Sequence, residues 1–196
     1  MSVSFCFAGA GEIIIHPVGL LLTERLELVP LTLPVVEAVL ESDRNKIEAL
    51  VNAPLPRRFH GRALIERAFP ASLCEIRKDP DRRLWGDRLM ILRTKERRIV
   101  GSVIFHGRPG PDGIAEVGYG VEDEWQGQGF ATEAVERSLE WALAQPGVRA
   151  VQATTFQWHR ASLRVIEKCK MVRIGSREHE MLGELTIFER RAKELL

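Results

Sequence analysis

The sequence predicts one α+β domain, on three observations. Strand-like apolar runs alternate with amphipathic helical stretches along most of the chain. A glycine-rich junction joins one such strand to a long helix. The length of 196 residues, 45% of them hydrophobic, is enough for one well-packed core and short for two.

Taken in order, residues 25–31 read as a strand and residues 33–41 and 44–51 as two short helices. Ala53-Pro54-Leu55-Pro56 breaks the pattern before a helical segment over 61–78 that Pro70 interrupts or kinks. Residues 89–94 and 98–106 form a hairpin turning at 95–97. The loop RPGPDG at 108–113 then leads into a strand over 114–121. A helix over 128–145 starts with Glu133 near its positive end and stops at Pro146-Gly147. Its buried stripe is Phe130, Ala134, Leu139, Ala142 and Leu143, with Trp141 as packing. Glu133, Glu136, Arg137 and Glu140 lie outside, Glu133 and Arg137 at ion-pair spacing. A strand over 149–155 follows, then a helix over 160–170 with Ser162, Val165, Ile166 and Cys169 on one face.

Charge removes several function classes. With 28 basic and 27 acidic residues the net charge is +1, which leaves no electrostatic footprint for nucleic acid or an anionic membrane. Cys6, Cys74 and Cys169 have no metal or redox spacing, and an odd count argues against a disulfide framework, so a reducing cytoplasm is the expected compartment. Residues 1–21 are apolar in patches interrupted by Glu12, His16 and Pro17. They carry no basic residue of a signal peptide and no run of membrane-spanning length. They are expected to be an extension that either adds a strand or is poorly ordered, ahead of a domain over 22–190.

The richest stretch is EVGYGVEDEWQGQGFATEA at 116–134, where a strand passes through an acidic turn into Gln126-Gly127-Gln128-Gly129-Phe130-Ala131. Two glycines at a helix start let the backbone approach a ligand closely, with free N–H groups pointing outward. The helix dipole favours an anion there, such as a pyrophosphate. A P-loop is excluded because no Lys-Ser or Lys-Thr follows the glycines. A dinucleotide fingerprint fails at Thr132, and the next strand ends without an acidic ribose ligand. The pattern [RQ]-x-x-G-x-[GA] is met in full by Gln126, Gly129 and Ala131. A glycine-rich helix start without a ligand is the competing reading of the hexapeptide alone.

The ordered set GYGVEDEWQGQGFATEAVERSLEWAL, GVRAVQATT and ASLRVIEK, preceded by TERLELVPLT, resembles the GNAT acyl-CoA-dependent N-acetyltransferases. The branch it looks like contains the ribosomal-protein N-terminal-alanine acetyltransferases, and the likeness covers roughly residues 22–190. It implies a mixed, largely antiparallel twisted sheet flanked by helices, with a splayed strand pair holding acyl-CoA. It places the pantetheine arm of acetyl-CoA between strands 114–121 and 149–155, held by backbone groups of Tyr119 and Val121. It puts the pyrophosphate on the amides of Gln126, Gly127, Gln128, Gly129, Phe130, Ala131 and Thr132. His159 stands where the family has an Asn that binds the arm and caps the helix, and Ser162 matches a serine beside the thioester sulfur.

The chemistry needs a group to deprotonate the amine, N–H donors for the oxyanion and a partner for the departing thiolate. Glu116 matches a strand acid that serves as base in relatives, directly or through water. Alternation puts it opposite the Ala115, Val117, Tyr119 and Val121 face, a solvent-exposed strand Glu being the competing reading. His106 is the reserve base. Ser162 is the thiolate partner and His159 the second choice, because the sole tyrosine, Tyr119, lies on the cofactor strand. Cys169 is expected to be buried and inert.

Three positions depart from the family: His159 for Asn, Lys170-Met171 for Gly-Phe, and Glu189-Arg190 where an aromatic is common. The expectation is acetyl transfer to a primary amine in a ternary complex, without a metal. The acceptor is an amine-bearing small molecule or a protein N-terminus, and a homodimer is left open. The rival is a catalytically weak GNAT-like module that binds acyl-CoA or a partner.

Overall fold

The computed structural model describes residues 19–56, 70–179 and 183–192. Eight strands make one sheet: β1 (Leu21–Leu22), β2 (Leu26–Pro30), β3 (Arg88–Leu92), β4 (Ile99–Phe105), β5 (Ile114–Val121), β6 (Ala150–Phe156), β7 (Val172–His179) and β8 (Gly183–Arg191). Their order is β1-β2-β3-β4-β5-β6-β8-β7, antiparallel throughout except where β5 meets β6. This is the mixed, largely antiparallel sheet that the sequence implied. Helices α1 (Leu33–Leu40), α2 (Arg44–Val51), α3 (Pro70–Lys78), α4 (Pro80–Arg83), α5 (Phe130–Leu143) and α6 (Arg160–Lys168) flank it.

Strand alternation divides the core in two. Met90 and Leu92 of β3 join one cluster with Val117, Phe130, Leu139, Val151 and Ile166, under α5 and α6. Leu89 and Ile91 join the other with Val35, Val36, Ile47 and Ile76, under α1, α2 and α3. β3 is therefore buried on both faces, as a central strand should be. Trp141 packs with Trp85 and Phe105 and lies 4.0 Å beneath the Arg88 guanidinium, so it serves packing as expected.

Most element boundaries fall within two residues of the sequence reading. The helical segment expected over 61–78 is described from Pro70 onward, and its earlier part lies outside the described residues. All but the last three residues of the expected extension also lie outside them. The last, Leu21, lies in β1 and pairs with Leu28 of β2.

Three features differ from expectation. Strands β7 and β8 carry little local signal: nearly every side chain of β7, the edge strand, is exposed, so no alternation marks it. Helix α5, which packs on both the sheet and α6, buries Val135 and Ser138 in addition to Phe130, Ala134, Leu139 and Ala142 of its expected stripe, while Leu143, also expected there, is only half-buried. Glu133 does not pair with Arg137, which instead meets Glu140 at 3.4 Å; it reaches across to Arg25 at 2.7 Å.

Helix α6 ends without its glycine. Met171 N–H donates to Ile166 C=O at 3.2 Å and Lys170 N–H to Glu167 C=O at 2.9 Å, the paired bonds of a left-handed helix stop. Lys170 carries a φ of +55° to make them. A side chain in this region costs roughly 1–2 kcal/mol. Lys170→Gly is therefore expected to stabilise the fold by about 1 kcal/mol, raising Tm by about 2–4 °C in calorimetry. An unchanged or lower Tm would mean that the lysine makes compensating contacts.

Candidate active site

The site begins where β5 and β6 part. Their parallel pairing covers only Ile114–Ala150, Ala115–Val151 and Glu116–Gln152. Beyond it β5 continues to Val121 against β4 alone, and β6 to Phe156 against β8 alone. Glu116 thus stands at the vertex of a V-shaped opening.

The backbone register decides what faces this opening. His106 N–H donates to Glu116 C=O at 3.0 Å and Glu122 N–H to Val100 C=O at 2.9 Å. Alternation in an antiparallel pair then turns the peptide groups of the even residues towards β4 and those of Val117, Tyr119 and Val121 towards the gap. These include Tyr119 and Val121, the two residues that the family resemblance implies would hold an extended arm. The Val121 carbonyl already accepts from Gln126 Nε2 at 3.0 Å, leaving its N–H for a ligand.

A short 3-10 turn, Asp123–Trp125, carries the chain from β5 into the glycine turn. Gly127 and Gly129 have φ of +74° and +86°, conformations that side chains rarely adopt, and Gly129 caps α5. A Cβ on Gly127 would meet nothing within 4 Å, so the turn is open on that side. The Gln126 side chain braces the turn through Val121 and Asp123, and its own N–H turns back to Asp123 C=O at 3.4 Å. Gln126 therefore shapes the turn. The N–H groups of Gly127, Gln128, Gly129, Phe130, Ala131 and Thr132 donate to no acceptor among the described residues. They form a concave set of donors at a helix start, suited to an anion.

At the other side of the gap, α6 places Ser162 against β5. Tyr119 Oη lies 2.9 Å from Ser162 Oγ and donates to Ser162 C=O at 3.2 Å. Burial pushes the Tyr119 phenol up to about 12, against the lowering effect of the Ser162 hydrogen bond, so it stays protonated at neutral pH. Sequence reading set this tyrosine aside because it lies on the cofactor strand. The fold delivers its hydroxyl to the serine from that strand, a contact spanning 43 residues that no local pattern reveals. His159 caps α6, its Nδ1 accepting from Ser162 N–H at 3.3 Å. Burial pushes the Cys169 thiol up to about 12, and its Sγ donates to Thr132 C=O at 3.7 Å, which leaves no thiolate for chemistry.

On the opposite face of β5, Glu116 is held by three elements. Thr154 Oγ1 of β6 donates to Oε1 at 2.9 Å and Arg177 Nη2 of β7 to the same oxygen at 3.0 Å. His106 Nδ1 stands 3.5 Å from Oε2, at the outer limit of a hydrogen bond. The imidazole is the largest influence bringing the carboxyl down to about 2; Thr154 and Arg177 add to it, against the opposing effect of burial. Glu116 is therefore a paired, partly buried strand residue and not a solvent-exposed one. Its side chain is 23% exposed, and with His106 it lines a cleft of about 440 Å³ under the loop 106–112. Thr154 and Arg177 were not foreseen. Thr154 lies two residues beyond Gln152, the strand partner of Glu116, and Arg177 comes from a strand that the sequence did not mark.

An N–H-lined turn suited to an anion, a splayed strand pair and polar groups on both faces of its vertex are the features that the resemblance to acyl-CoA-dependent acetyltransferases implies. In agreement, residues 25–172 match the model of the acetyltransferase (GNAT) domain family, and the chain belongs to that family. It is an N-acetyltransferase of the kind that draws its acetyl group from acetyl-CoA. It is 25% identical over 152 residues, 76% of this chain and 87% of the other, to the uncharacterized N-acetyltransferase YjdG of Bacillus subtilis. Its fold is similar to the ribosomal-protein-S5-alanine acetyltransferase of Vibrio fischeri, with a TM-score of 0.59 and 17% identity over 89% of this chain and 97% of that one. It is similar also to the microcin C7 self-immunity acetyltransferase MccE, solved with acetyl-CoA and AMP, with a TM-score of 0.56 and 14% identity over 86% and 93% of the two chains. Among the described residues no cluster of three or more His, Cys, Asp or Glu could hold a metal, and no helix is long and apolar enough to cross a membrane.

Proposed function

We propose that this N-acetyltransferase moves acetyl from acetyl-CoA directly to a primary amine, within a ternary complex and without a covalent enzyme intermediate. One observation carries the reading. Glu116 with His106 and Tyr119 with Ser162 occupy opposite faces of β5 at the point where β5 and β6 separate. Only a molecule threading that gap meets both sets.

In this reading the amides of residues 127–132 hold the pyrophosphate, and the main chain of Tyr119 and Val121 holds the pantetheine arm. The amine nitrogen attacks the thioester carbon, and a β5 N–H facing the gap stabilises the oxyanion. The amine's proton leaves towards the Glu116–His106 pair. A carboxylate with a pKa of about 2 is a weak base on its own, so transfer by way of His106 or a water suits it better than direct contact. As the C–S bond breaks, the thiolate meets Ser162. When Tyr119 donates to Ser162 Oγ, the serine's own O–H is released to the sulfur.

The acceptor is an amine-bearing small molecule or a protein N-terminus that enters by the cleft beside His106, and the reaction belongs in the cytoplasm. The rival, a binding module without turnover, drew support from His159 and Lys170. Both substitutions are absorbed locally: His159 still caps α6 and Lys170 still makes the helix stop.

The test is steady-state thiol release from acetyl-CoA across a panel of amines. Ser162→Ala and Tyr119→Phe should each lower kcat about 10–100-fold, the scale of one hydrogen bond to a charged group at about 1.5–3 kcal/mol. CoA affinity should persist in both. CoA binding by the parent with no release for any amine would favour the binding module.

A further inference from the structure

A contact outside the reacting groups has a consequence for donor choice. Arg25 lies in the turn between β1 and β2, 108 residues before Glu133 in the chain. Its Nε donates to Glu133 Oε2 at 2.7 Å and its main-chain N–H to Oε1 at 2.7 Å. Thr23 Oγ1 donates to the same Oε1 at 2.6 Å. Arg25 Nη1 donates to Gln128 C=O at 3.0 Å, and the guanidinium lies 4.5 Å above the Phe130 ring.

Glu133 is the acidic residue of the first turn of α5, beside the free amides at which a pyrophosphate would bind. Left alone it would repel that ligand, or swing back to occupy an amide itself. The three hydrogen bonds to it draw the carboxylate away and neutralise it. Burial raises the Glu133 carboxyl, but Thr23 and the Arg25 amide and guanidinium outweigh that and hold it below its ordinary value. The Gln128 carbonyl, a second group hostile to an anion, is tethered by the same guanidinium. Arg25 is 44% exposed, and an ion pair this open adds little to global stability.

We infer that Arg25 is a positioning residue for the phosphate turn, selecting acyl donors that carry a pyrophosphate; this rests on the cofactor placement proposed above. It acts through Glu133 and Gln128 and does not touch the reacting atoms.

The experiment compares acetyl-CoA with S-acetyl-pantetheine, which has the same thioester and arm but no phosphate, in the parent, Arg25→Ala and Arg25→Lys. Arg25→Ala should raise KM for acetyl-CoA about 10–100-fold, the scale on which groups behind a ligand site act. Its kcat should hold, and kcat/KM for S-acetyl-pantetheine should stay at the parent value. Arg25→Lys, which keeps the charge but cannot serve both acceptors with one planar fork, should fall between. It carries the comparison if the alanine variant does not fold. Equal losses with both donors would reduce Arg25 to a structural role and overturn the inference, as would unchanged KM values in both variants. A parent with no preference for acetyl-CoA over S-acetyl-pantetheine would overturn the phosphate placement beneath it, and the inference with it.

Discussion

Gly129→Glu is expected to weaken CoA binding by at least two orders of magnitude, about 2.8 kcal/mol at about 1.4 kcal/mol per tenfold. Two effects combine. Gly129 has a φ of +86° that a side chain strains, and a carboxylate there would meet the ligand's charge at a helix start. The added Cβ would also come within 3.4 Å of Arg25 Nη2. Gly129→Ala separates these contributions, since it adds the strain and the contact without the charge. Calorimetric titration of CoA into parent and both variants is the measurement. Parent-like affinity in the glutamate variant would move the pyrophosphate away from this turn.

Glu116→Gln should lower kcat roughly 10²–10⁴-fold, the usual scale for loss of general-base assistance. CoA affinity should stay close to that of the parent, because the phosphate turn lies beyond the far end of β5. The defect should narrow at high pH, where more of the amine is already unprotonated. Stability gives an independent readout. The folded carboxyl lies near 2, below its ordinary 4.5. Its contribution is thus fully present above about 4.5 and is lost as pH falls through about 2. The glutamine variant should lack this acid-side loss. Parent-like kcat at neutral pH would leave proton removal to His106 or bulk water.

The same residue shows how a carboxylate can be fixed without being fully buried. Thr154 and Arg177 share one oxygen and His106 stands by the other, so three strand or loop elements converge on a single side chain. Removing any one partner leaves two. Glu116→Gln keeps one acceptor oxygen for these donors and removes the charge, so its effect falls on proton transfer.

The sequence by itself determined the local parts of this protein. The strand over 114–121, the glycine turn and the helix after it follow from patterns within a few residues of one another. Alternation is enough to put Glu116 opposite Ala115 and Val117. The periodicity of 3.6 put Ile166 and Cys169 on the buried face of α6, where both are found. The turn's fitness for an anion is likewise local, since glycines and unpaired helix-start amides are properties of consecutive residues.

Only the tertiary structure decided which side chains meet. Glu133 and Arg137 have the spacing of a helix surface pair, yet Glu133 is claimed by Thr23 and Arg25 from another part of the sheet. Three donors on one carboxylate outweigh a solvated i,i+4 pair worth a few tenths of a kcal/mol, roughly 0.2–0.5. Tyr119 reaches Ser162, and Arg177 reaches Glu116, because strand register and helix packing bring distant residues within 3 Å. Strand β7 was illegible for a related reason: its order comes from main-chain bonds to β8, which any sequence can make, and its exposed side chains record none of it. Periodicity reports which face of an element is buried. It carries no information about the partner across the gap, and here that partner shifts the titration of Glu116 and Tyr119.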